Sequence, residues 1–395
     1  MSSGTLRKGW CPGVLRPMPA GDGLLVRLRL STGTMRGDVA RQVARLSTQY
    51  GSGAIDLTQR ANLQLRGVRA DVLEMLVEEL AAIGLIDPSI EAEAVRNVMV
   101  SPLAGIDALC LDGRDIAREL ESKLQGDRGL HKLPAKFGIV IDGGGRWPLG
   151  EVGADVALVA DRPVRLWRIQ LGGAGMLSEP VPDGRAAEAV LALAALFVNE
   201  ARGHDALRMR DLVAVEGAGT VLGRIGLSAQ GIADARPSSA TPGVLDLPPL
   251  TVVTVGLPFG RIEGAALSRL CDVSSGIAFR LTPWRLLCAV CPNSDVAEKV
   301  MATARDHDLI VEAGDPRLGI DACIGSPGCT NASTQTRNDA ARLATMLRGC
   351  PSGSGTIHVS GCLKGCAHRG AAPVTFIGRD GRYMCPYSWV CTAPG

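Results

Sequence analysis

Four cysteines in two glycine-rich segments give the strongest chemical signal in the sequence. They are Cys323 and Cys329 in CIGSPGC, and Cys362 and Cys366 in SGCLKGC. Two cysteine pairs on separate loops suit a 4Fe-4S cluster, which needs four thiolates from different directions. The small residues let backbone N–H groups approach the cluster sulfides. A zinc ion also takes four cysteines, but usually from pairs two to four residues apart, so the C-x5-C pair favours the cluster.

The remaining cysteines are placed unevenly, since ten of the twelve in the chain lie between Cys271 and Cys391. Without a recognisable secretion signal, this clustering indicates metal or redox chemistry rather than a disulfide scaffold. Cys288 and Cys291 have zinc-like spacing, but they lie in the apolar segment LLCAVCP and are expected to be buried. Cys385 and Cys391 repeat the C-x5-C spacing and are either a second site or, in the interpretation we prefer, plain tail cysteines.

Composition excludes several classes of function. The chain of 395 residues carries 42 basic and 40 acidic residues, a net charge of +2, and only 3% aromatic residues. This argues against nucleic-acid binding, which usually needs a basic surface and stacking side chains. The longest convincing apolar run, Ala189–Val198, is too short to cross a membrane. Because Met1–Arg16 does not resemble a signal peptide, we expect a soluble, cytoplasmic protein with no nucleic-acid or membrane partner.

Hydrophobic periodicity predicts the same series of elements twice. The first copy is a strand, a helix, two strands and a second helix, over Leu24–Leu30, Arg36–Tyr50, Ala54–Leu57, Asn62–Val68 and Asp71–Ile83. The second copy keeps that order, over Leu250–Gly256, Ile262–Leu270, Gly276–Leu281, Trp284–Val290 and Val296–His307. Between the copies lie an apolar helix, Arg185–Arg202, and a linker rich in Pro, Gly and Ser, Ala235–Gly243.

Two landmarks keep register between the copies. Ser101-Pro102 follows Thr58 by 43 residues, and Ser326-Pro327 follows Thr282 by 44 residues. Ordered landmarks indicate an internal duplication rather than a chance match of composition. We therefore expect an α+β protein with pseudo-twofold symmetry and a site between its halves, where pockets often lie.

Three cationic segments lie in the first half of the chain. They are Thr58–Gln64 (TQRANLQ), Arg96–Val98 (RNV) and Leu133–Phe137 (LPAKF). Cationic side chains on separate loops form an anion-binding cavity, in which arginine offers bidentate donors to carboxylates or oxyanions. Together with the cysteine set, these segments resemble the T-x-R-x-x-x-Q, R-N-V and L-P-R-K-F motifs of the siroheme-dependent sulfite and nitrite reductase family.

The resemblance covers nearly the whole chain and implies its fold. It implies duplicated ferredoxin-like half-domains at 15–85 and 245–310, with nitrite/sulfite reductase-like α/β domains at 86–235 and 311–395. The second α/β domain would carry the cluster on the four cysteines. In that family the cysteine that matches Cys366 links the cluster to the haem iron.

Some positions depart from the reductases. Gly138 stands where a sulfite reductase has a further substrate-binding lysine. Trp10–Gly13 (WCPG), Lys364–His368 (KGCAH) and Leu281–Arg285 (LTPWR) are instead similar to the precorrin-3B synthase family, a branch of the reductase family in aerobic cobalamin biosynthesis. That resemblance implies a monooxygenase that hydroxylates precorrin-3A at a meso carbon with O2 and two electrons, and that closes a γ-lactone.

The same resemblance implies the cofactors and the substrate-binding residues. It implies a 4Fe-4S cluster and a mononuclear non-haem iron in place of siroheme. The carboxylates of the tetrapyrrole would pair with Arg60, Arg96 and Lys136, with Gln64 and Asn97 as further substrate-binding residues. No catalytic residue is assigned.

The iron ligands and the electron source stay open. His358 and His368 flank the cluster cysteines and His131 precedes Lys136, yet a structural role fits each of them as well. Gly217–Gly223 lacks the spacing of a dinucleotide-binding fingerprint, so we expect a separate ferredoxin or flavoprotein to deliver electrons. Two alternatives remain: a siroheme-dependent sulfite or nitrite reductase, and a metal-stabilised tetrapyrrole-binding protein without catalysis.

Overall fold

The computed structural model describes residues 10–161, 164–201, 207–233, 238, 240–348, 356–368, 370 and 372–384. Its strands are β1 (Met18–Ala20), β2 (Gly23–Leu28), β3 (Thr34–Arg36), β4 (Ala54–Leu57), β5 (Leu63–Val68), β6 (Val98–Val100), β7 (Ile139–Asp142), β8 (Val156–Asp161), β9 (Leu166–Leu171), β10 (Met176–Ser178), β11 (Ala229–Ile232), β12 (Gly243–Leu247), β13 (Leu250–Gly256), β14 (Arg261–Glu263), β15 (Ala278–Leu281), β16 (Leu286–Cys291), β17 (Ile320–Ala322), β18 (Ile357–Ser360), β19 (Val374–Arg379) and β20 (Arg382–Met384). Its α-helices are α1 (Gly37–Tyr50), α2 (Leu73–Ala82), α3 (Ile90–Val95), α4 (Arg114–Gly126), α5 (Asp183–Glu200), α6 (Met209–Glu216), α7 (Ala218–Gly223), α8 (Gly264–Asp272), α9 (Ser294–Asp306) and α10 (Thr336–Met346).

Two antiparallel sheets of five strands share one strand order. The first is β1-β2-β5-β4-β14 and the second is β12-β13-β16-β15-β3. Each copy of the repeat lends one short strand to the sheet of the other copy, since β14 pairs with β4 and β3 pairs with β15. Neither 15–85 nor 245–310 therefore contains every strand of its own sheet.

The exchanged strands shorten two predicted helices. Arg36 lies in β3 and Ile262 in β14, so that α1 begins at Gly37 and α8 at Gly264. Ile262 pairs with Ile55 of the other copy and is 2% exposed. This long-range pairing, and not the local helical spacing, decides the conformation of Ile262.

Equivalent turns confirm the duplication at the level of single hydrogen bonds. The hydroxyl of Thr58 accepts from the backbone N–H of the second and fourth residues after it, at 3.3 and 3.1 Å. The hydroxyl of Thr282 accepts from its second and fourth successors at 3.3 and 3.2 Å. Both turns also hold a left-handed residue at the same place, Ala61 (φ 50°) and Arg285 (φ 62°).

The two copies share one hydrophobic core. Helices α1 and α8 cross between the sheets, and their buried residues belong to the same apolar cluster. A Cβ atom on Gly264 would lie 2.7 Å from the carbonyl oxygen of Ala44, so only glycine permits this close crossing. Val43, Leu46 and Leu267 are buried on either side of it.

Two further sheets flank this centre. The larger has the order β11-β10-β9-β8-β7-β6, and the smaller has the order β17-β18-β19-β20. In both, the first three strands along the chain run parallel and the fourth runs antiparallel. The predicted apolar helix is α5, and its buried residues lie in the hydrophobic core beside the larger sheet. No helix among the described residues is long and apolar enough to span a membrane.

The structure corrects one landmark of the duplication, the match of Ser101 with Ser326. Ser101 is the first residue after β6, whereas Ser326 lies four residues beyond β17. By strand position, Ser101 corresponds to Cys323. The predicted linker falls partly on 235–237 and 239, outside the described residues, and its last residue, Gly243, already begins β12.

Candidate functional site

A row of polar side chains crosses one face of the first sheet. Strand pairing places Arg27 opposite Gln64, Gln64 opposite Asp56, and Asp56 opposite Arg261. Alternate residues of β2 enter the core, so Arg27 and Arg29 both lie on the polar face. The face therefore carries several cations on a rigid scaffold.

Asp56 ties this polar face to the part of the chain that bears the four cysteines. Its carboxylate accepts hydrogen bonds from Arg261 and from Arg337 of α10, each at 2.8 Å. Burial disfavours the charge of Asp56, but Arg337 and Arg261 outweigh burial and lower its pKa to about 2. Arg66 of the same face donates to the carbonyl of Gly328, within CIGSPGC, at 2.8 Å.

The four cysteines meet at one edge of the smaller sheet. Cys323 follows β17 directly and Cys362 lies two residues after β18, and these two strands are parallel neighbours. The backbone N–H of Gly361 donates to the sulfur of Cys323 at 3.2 Å. Partial burial raises the pKa of Cys366, and the other three thiols raise it further. The thiols of Cys323, Cys329 and Cys362 thus lie within electrostatic reach of Cys366.

The cysteine loops are tightly packed and supply only thiol donors. A Cβ atom on Gly361 would lie 2.6 Å from the Cβ of Ala332, so the loop packs too closely for a side chain. Across the described ranges, no three His, Cys, Asp or Glu side chains are arranged to hold one metal ion. Four thiols on two loops, with a backbone donor at one sulfur, match the donor set that a 4Fe-4S cluster requires.

Cys288 and Cys291 are not part of this group. Cys288 and Cys291 are buried in β16, as predicted, and their odd spacing in a strand places them on opposite faces. Burial raises their pKa values to about 12 and about 11, so both stay protonated. Cys350, Cys385 and Cys391, like His204, lie outside the described residues.

Two of the predicted substrate-binding side chains hold the loop that carries Lys136. Arg60 donates to the carbonyl of Lys136 at 3.2 Å, and Asn97 donates to the carbonyl of Ala135 at 3.3 Å. The ammonium-bearing residue Lys136 is exposed. Arg60, Asn97 and Gly138 line one small cavity of about 30 Å3. The structure therefore brings Arg60, Asn97 and the Lys136 loop together.

Arg96 lies apart from this cavity. It is 9% exposed and bonds to both oxygens of Asp87, at 2.6 and 2.8 Å, and to the carbonyl of Arg29. It lines a separate groove of about 420 Å3 with Glu121 and Gln125. A guanidinium engaged in this way positions the β2 backbone, and substrate binding by Arg96 stays a prediction.

Sequence reasoning missed Arg27 and Arg29. With its amide oxygen turned toward β2, Gln64 accepts from Arg27 at 2.8 and 3.2 Å, so Gln64 orients this arginine. Burial and the neighbouring charges of Arg29 and Arg60 lower the pKa of Arg27 to about 10. Arg29 is 5% exposed. The signal was present in LLVRLRL, where arginines alternate with apolar residues in a strand that is half buried.

The histidines near the cysteines form a pair without making a metal site. The rings of His358 and His368 lie 5.8 Å apart, and His368 bonds to Asp321 at 2.7 Å. The bond to Asp321 uses Nδ1 of His368 and leaves its Nε2 free, and Nε2 of His358 is buried without a partner among the described residues. His131 bonds to the carbonyl of Gln125 instead. No ligand set for a mononuclear iron is assembled among the described residues, and the ligands of that iron stay unassigned.

The two repeated sheets and the two flanking sheets together form the fold of the nitrite/sulfite reductases. Residues 16–83 match the family model of the nitrite/sulfite reductase ferredoxin-like half domain. The solved structure of the NirA protein of Mycobacterium tuberculosis superposes with a TM-score of 0.74 at 21% identity, covering 90% of this chain and 71% of that one. This likeness shows the fold and confirms the predicted architecture.

Sequence similarity narrows the class. The chain is 34% identical to a precorrin-3B synthase of Sinorhizobium over 388 residues, which are 96% of this chain and 82% of the relative. A ferredoxin–nitrite reductase of Synechococcus elongatus is 36% identical over 144 residues only, 28% of its length. The chain belongs to the precorrin-3B synthase family, as its WCPG, LTPWR and KGCAH segments predicted.

Proposed function

We propose that the chain is an oxidoreductase of cobalamin biosynthesis, an O2-dependent monooxygenase that converts precorrin-3A into precorrin-3B. The reaction places one oxygen atom of O2 on a meso carbon and releases the other as water, with two electrons and two protons. A ring acetate then closes the γ-lactone. The observation that carries the proposal is the similarity to a precorrin-3B synthase along nearly the whole chain.

The polar face of the first sheet supports a polycarboxylate substrate. Arg27 has no carboxylate partner among the described residues: its polar partners are the Gln64 amide and the Cys11 thiol, and the nearby Arg29 and Arg60 repel its charge. A half-buried cation without a counter-ion is costly, and an anionic ligand offsets that cost. Acetate and propionate groups of a tetrapyrrole supply such anions, and arginine binds them with two parallel hydrogen bonds.

The remaining residues divide into those that bind and those that position. The guanidinium of Arg60 contacts the backbone of Lys136, and both cationic side chains would pair with substrate carboxylates. Gln64 orients Arg27, and Asn97 fixes the Lys136 loop by its bond to Ala135. We propose that these residues orient the macrocycle, which would lie over the exposed Cys366 side of the cysteine group.

The cofactor that fits this protein is a 4Fe-4S cluster on Cys323, Cys329, Cys362 and Cys366. When bound, it would supply electrons one at a time. The described residues contain the thiols for it, and the reductant would come from a separate ferredoxin or flavoprotein. The activation of O2 stays unassigned to any side chain.

Pigment analysis separates this proposal from a siroheme-dependent reductase. Protein purified without air, from cells supplied with siroheme precursor, is extracted with acid and acetone and examined by visible and EPR spectroscopy before and after dithionite. We expect an iron–sulfur spectrum and no extractable siroheme. Stoichiometric siroheme would overturn the proposal in favour of a sulfite or nitrite reductase.

A further inference from the structure

One backbone carbonyl beside Cys366, the exposed member of the group of four cysteines, receives two side-chain donors from different parts of the chain. The carbonyl oxygen of Ala367 accepts from Nε2 of Gln59 at 3.0 Å and from Nη2 of Arg285 at 2.8 Å. Ala367 is buried and follows Cys366 directly. The position of the Cys366 loop is therefore set by two bonds from outside its own domain.

The two donors come from the two equivalent turns of the duplication. Gln59 lies in the turn that begins at Thr58, and Arg285 lies in the turn that begins at Thr282. The turns approach the Cys366 loop from opposite copies of the repeat. The pseudo-twofold arrangement thus converges on a single atom next to the predicted cluster.

Arg285 is itself held in place. Its other terminal nitrogen donates to Asp321 at 2.5 Å, and the second oxygen of Asp321 bonds to His368 at 2.7 Å. Arg285, Asp321 and His368 therefore close a ring of polar contacts around Ala367. Arg285 and Asp321 each make two of these hydrogen bonds, which restricts the movement of the loop.

Gln59 has a different neighbour, since the next residue is Arg60, whose guanidinium bonds to the Lys136 loop. A carboxylate bound at Arg60 would therefore shift the Thr58 turn, whose Gln59 side chain bonds to the carbonyl of Ala367. The Arg285 side has no comparable route, because its turn carries Trp284 at the place of Arg60.

We propose that Gln59 and Arg285 are positioning residues for the Cys366 thiolate, and that Gln59 transmits ligand binding at Arg60 to the cluster. Arg285 keeps its bond to the loop with and without substrate, whereas the bond from Gln59 changes when substrate binds at Arg60. The inference rests on the proposed function for the identity of the ligand. The positioning of the Cys366 loop by Gln59 and Arg285 requires only that the cluster is bound.

Variants of Gln59 separate the hold from general stability. Gln59→Leu removes the donor, and Gln59→Asn withdraws it by one methylene while keeping the turn polar. Gln49→Leu is the matched control, since Gln49 is exposed on α1. Arg285→Lys keeps the charge but cannot bridge Ala367 and Asp321 together. Each full-length holoprotein is assayed for iron content, for the EPR spectrum of the reduced cluster with and without precorrin-3A, and for bleaching by an iron chelator.

We expect the Gln59 variants to retain the iron content of the parent and to bleach about fivefold faster, the factor that a hydrogen bond of about 1 kcal/mol represents. Precorrin-3A should shift the EPR signal of the parent and of Gln49→Leu, but not that of the Gln59 variants. Arg285→Lys should bleach faster yet keep the substrate-induced shift.

Two results overturn the inference: Gln59 variants that match the parent in bleaching and in EPR response, or a parent protein that holds no four-iron cluster. A parent whose EPR signal ignores precorrin-3A, with Gln59 variants that still bleach faster, supports the hold and contradicts the proposed substrate instead.

Discussion

The guanidinium of Arg60 occupies the space that a side chain at position 138 would need. A Cβ atom on Gly138 would lie 2.8 Å from Nη1 of Arg60. The backbone of Gly138 is outside the left-handed region, so its own conformation does not require glycine. Gly138 leaves room for the arginine, and a lysine at this position would require the guanidinium of Arg60 to shift from its observed place.

Replacing Gly138 tests this relationship. Gly138→Ala should displace Arg60 from the carbonyl of Lys136 and raise KM for the tetrapyrrole about tenfold with little change in kcat, because a charge-assisted contact is lost in ground and transition states alike. Gly153→Ala is the control, since Gly153 lines the same cavity and has open space around it. Steady-state kinetics decide the point, and equal KM values for Gly138→Ala and the parent would show that Arg60 does not bind substrate.

Replacing Arg27 should raise the stability of the protein and weaken its binding of the tetrapyrrole. Arg27→Gln relieves the repulsion from Arg29 and Arg60, and it should raise the free energy of unfolding by up to about 1 kcal/mol. The same change should weaken tetrapyrrole binding about tenfold. Urea unfolding and ligand titration measure the two effects. Arg41→Gln, on an exposed arginine paired with Asp272, is the control. A variant that loses stability and keeps its affinity would contradict the assigned role.

The carboxylate of Asp56 should control acid stability. Its pKa is lowered from 3.8 to about 2, so its contribution is complete above pH 4 and is lost as the pH falls through 2. The shift corresponds to about 2 kcal/mol. Asp56→Asn leaves Arg261 and Arg337 unpaired and should cost about 3 kcal/mol at pH 7. Stability of the variant measured between pH 2 and pH 5 should lack this component. Asp115→Asn, on an exposed carboxylate, should leave both the stability and its pH dependence unchanged.

Iron content should depend on four cysteines and not on the zinc-like pair. Serine in place of Cys323, Cys329, Cys362 or Cys366 should abolish the four-iron cluster, because each supplies one thiolate. Cys288→Ala and Cys291→Ala should keep the iron content of the parent while losing some stability. Iron and sulfide analysis with EPR checks the expectation. Cluster loss in Cys288→Ala, in a protein that remains folded, would place this buried thiol in the site.

Local patterns predicted most of the elements that surround the site. The strand at Leu250–Gly256 and the helix that ends at Tyr50 follow from periodicity, and the duplication followed from the two threonine turns. The exchanged strands β3 and β14 could not be predicted, since three residues carry too little pattern and their pairing is with the other copy.

The site residues divide in the same way. Motif resemblance indicated Arg60 and Lys136, and the structure places them side by side. It could not show that Arg96 is engaged by Asp87, because Asp87 gave no signal in the sequence. Arg27 was missed because an arginine within a predicted strand is usually exposed, and only the sheet pairing shows that it lies opposite Gln64 on the polar face.

The central claim is that this protein adds oxygen to a tetrapyrrole. The most direct measurement supplies the reconstituted protein with precorrin-3A, an electron donor and 18O2, and follows the pigment by mass spectrometry. The account predicts a product that gains one labelled oxygen atom only when O2 and reductant are both present. An unchanged tetrapyrrole, together with reduction of nitrite or sulfite by the same protein, would contradict it.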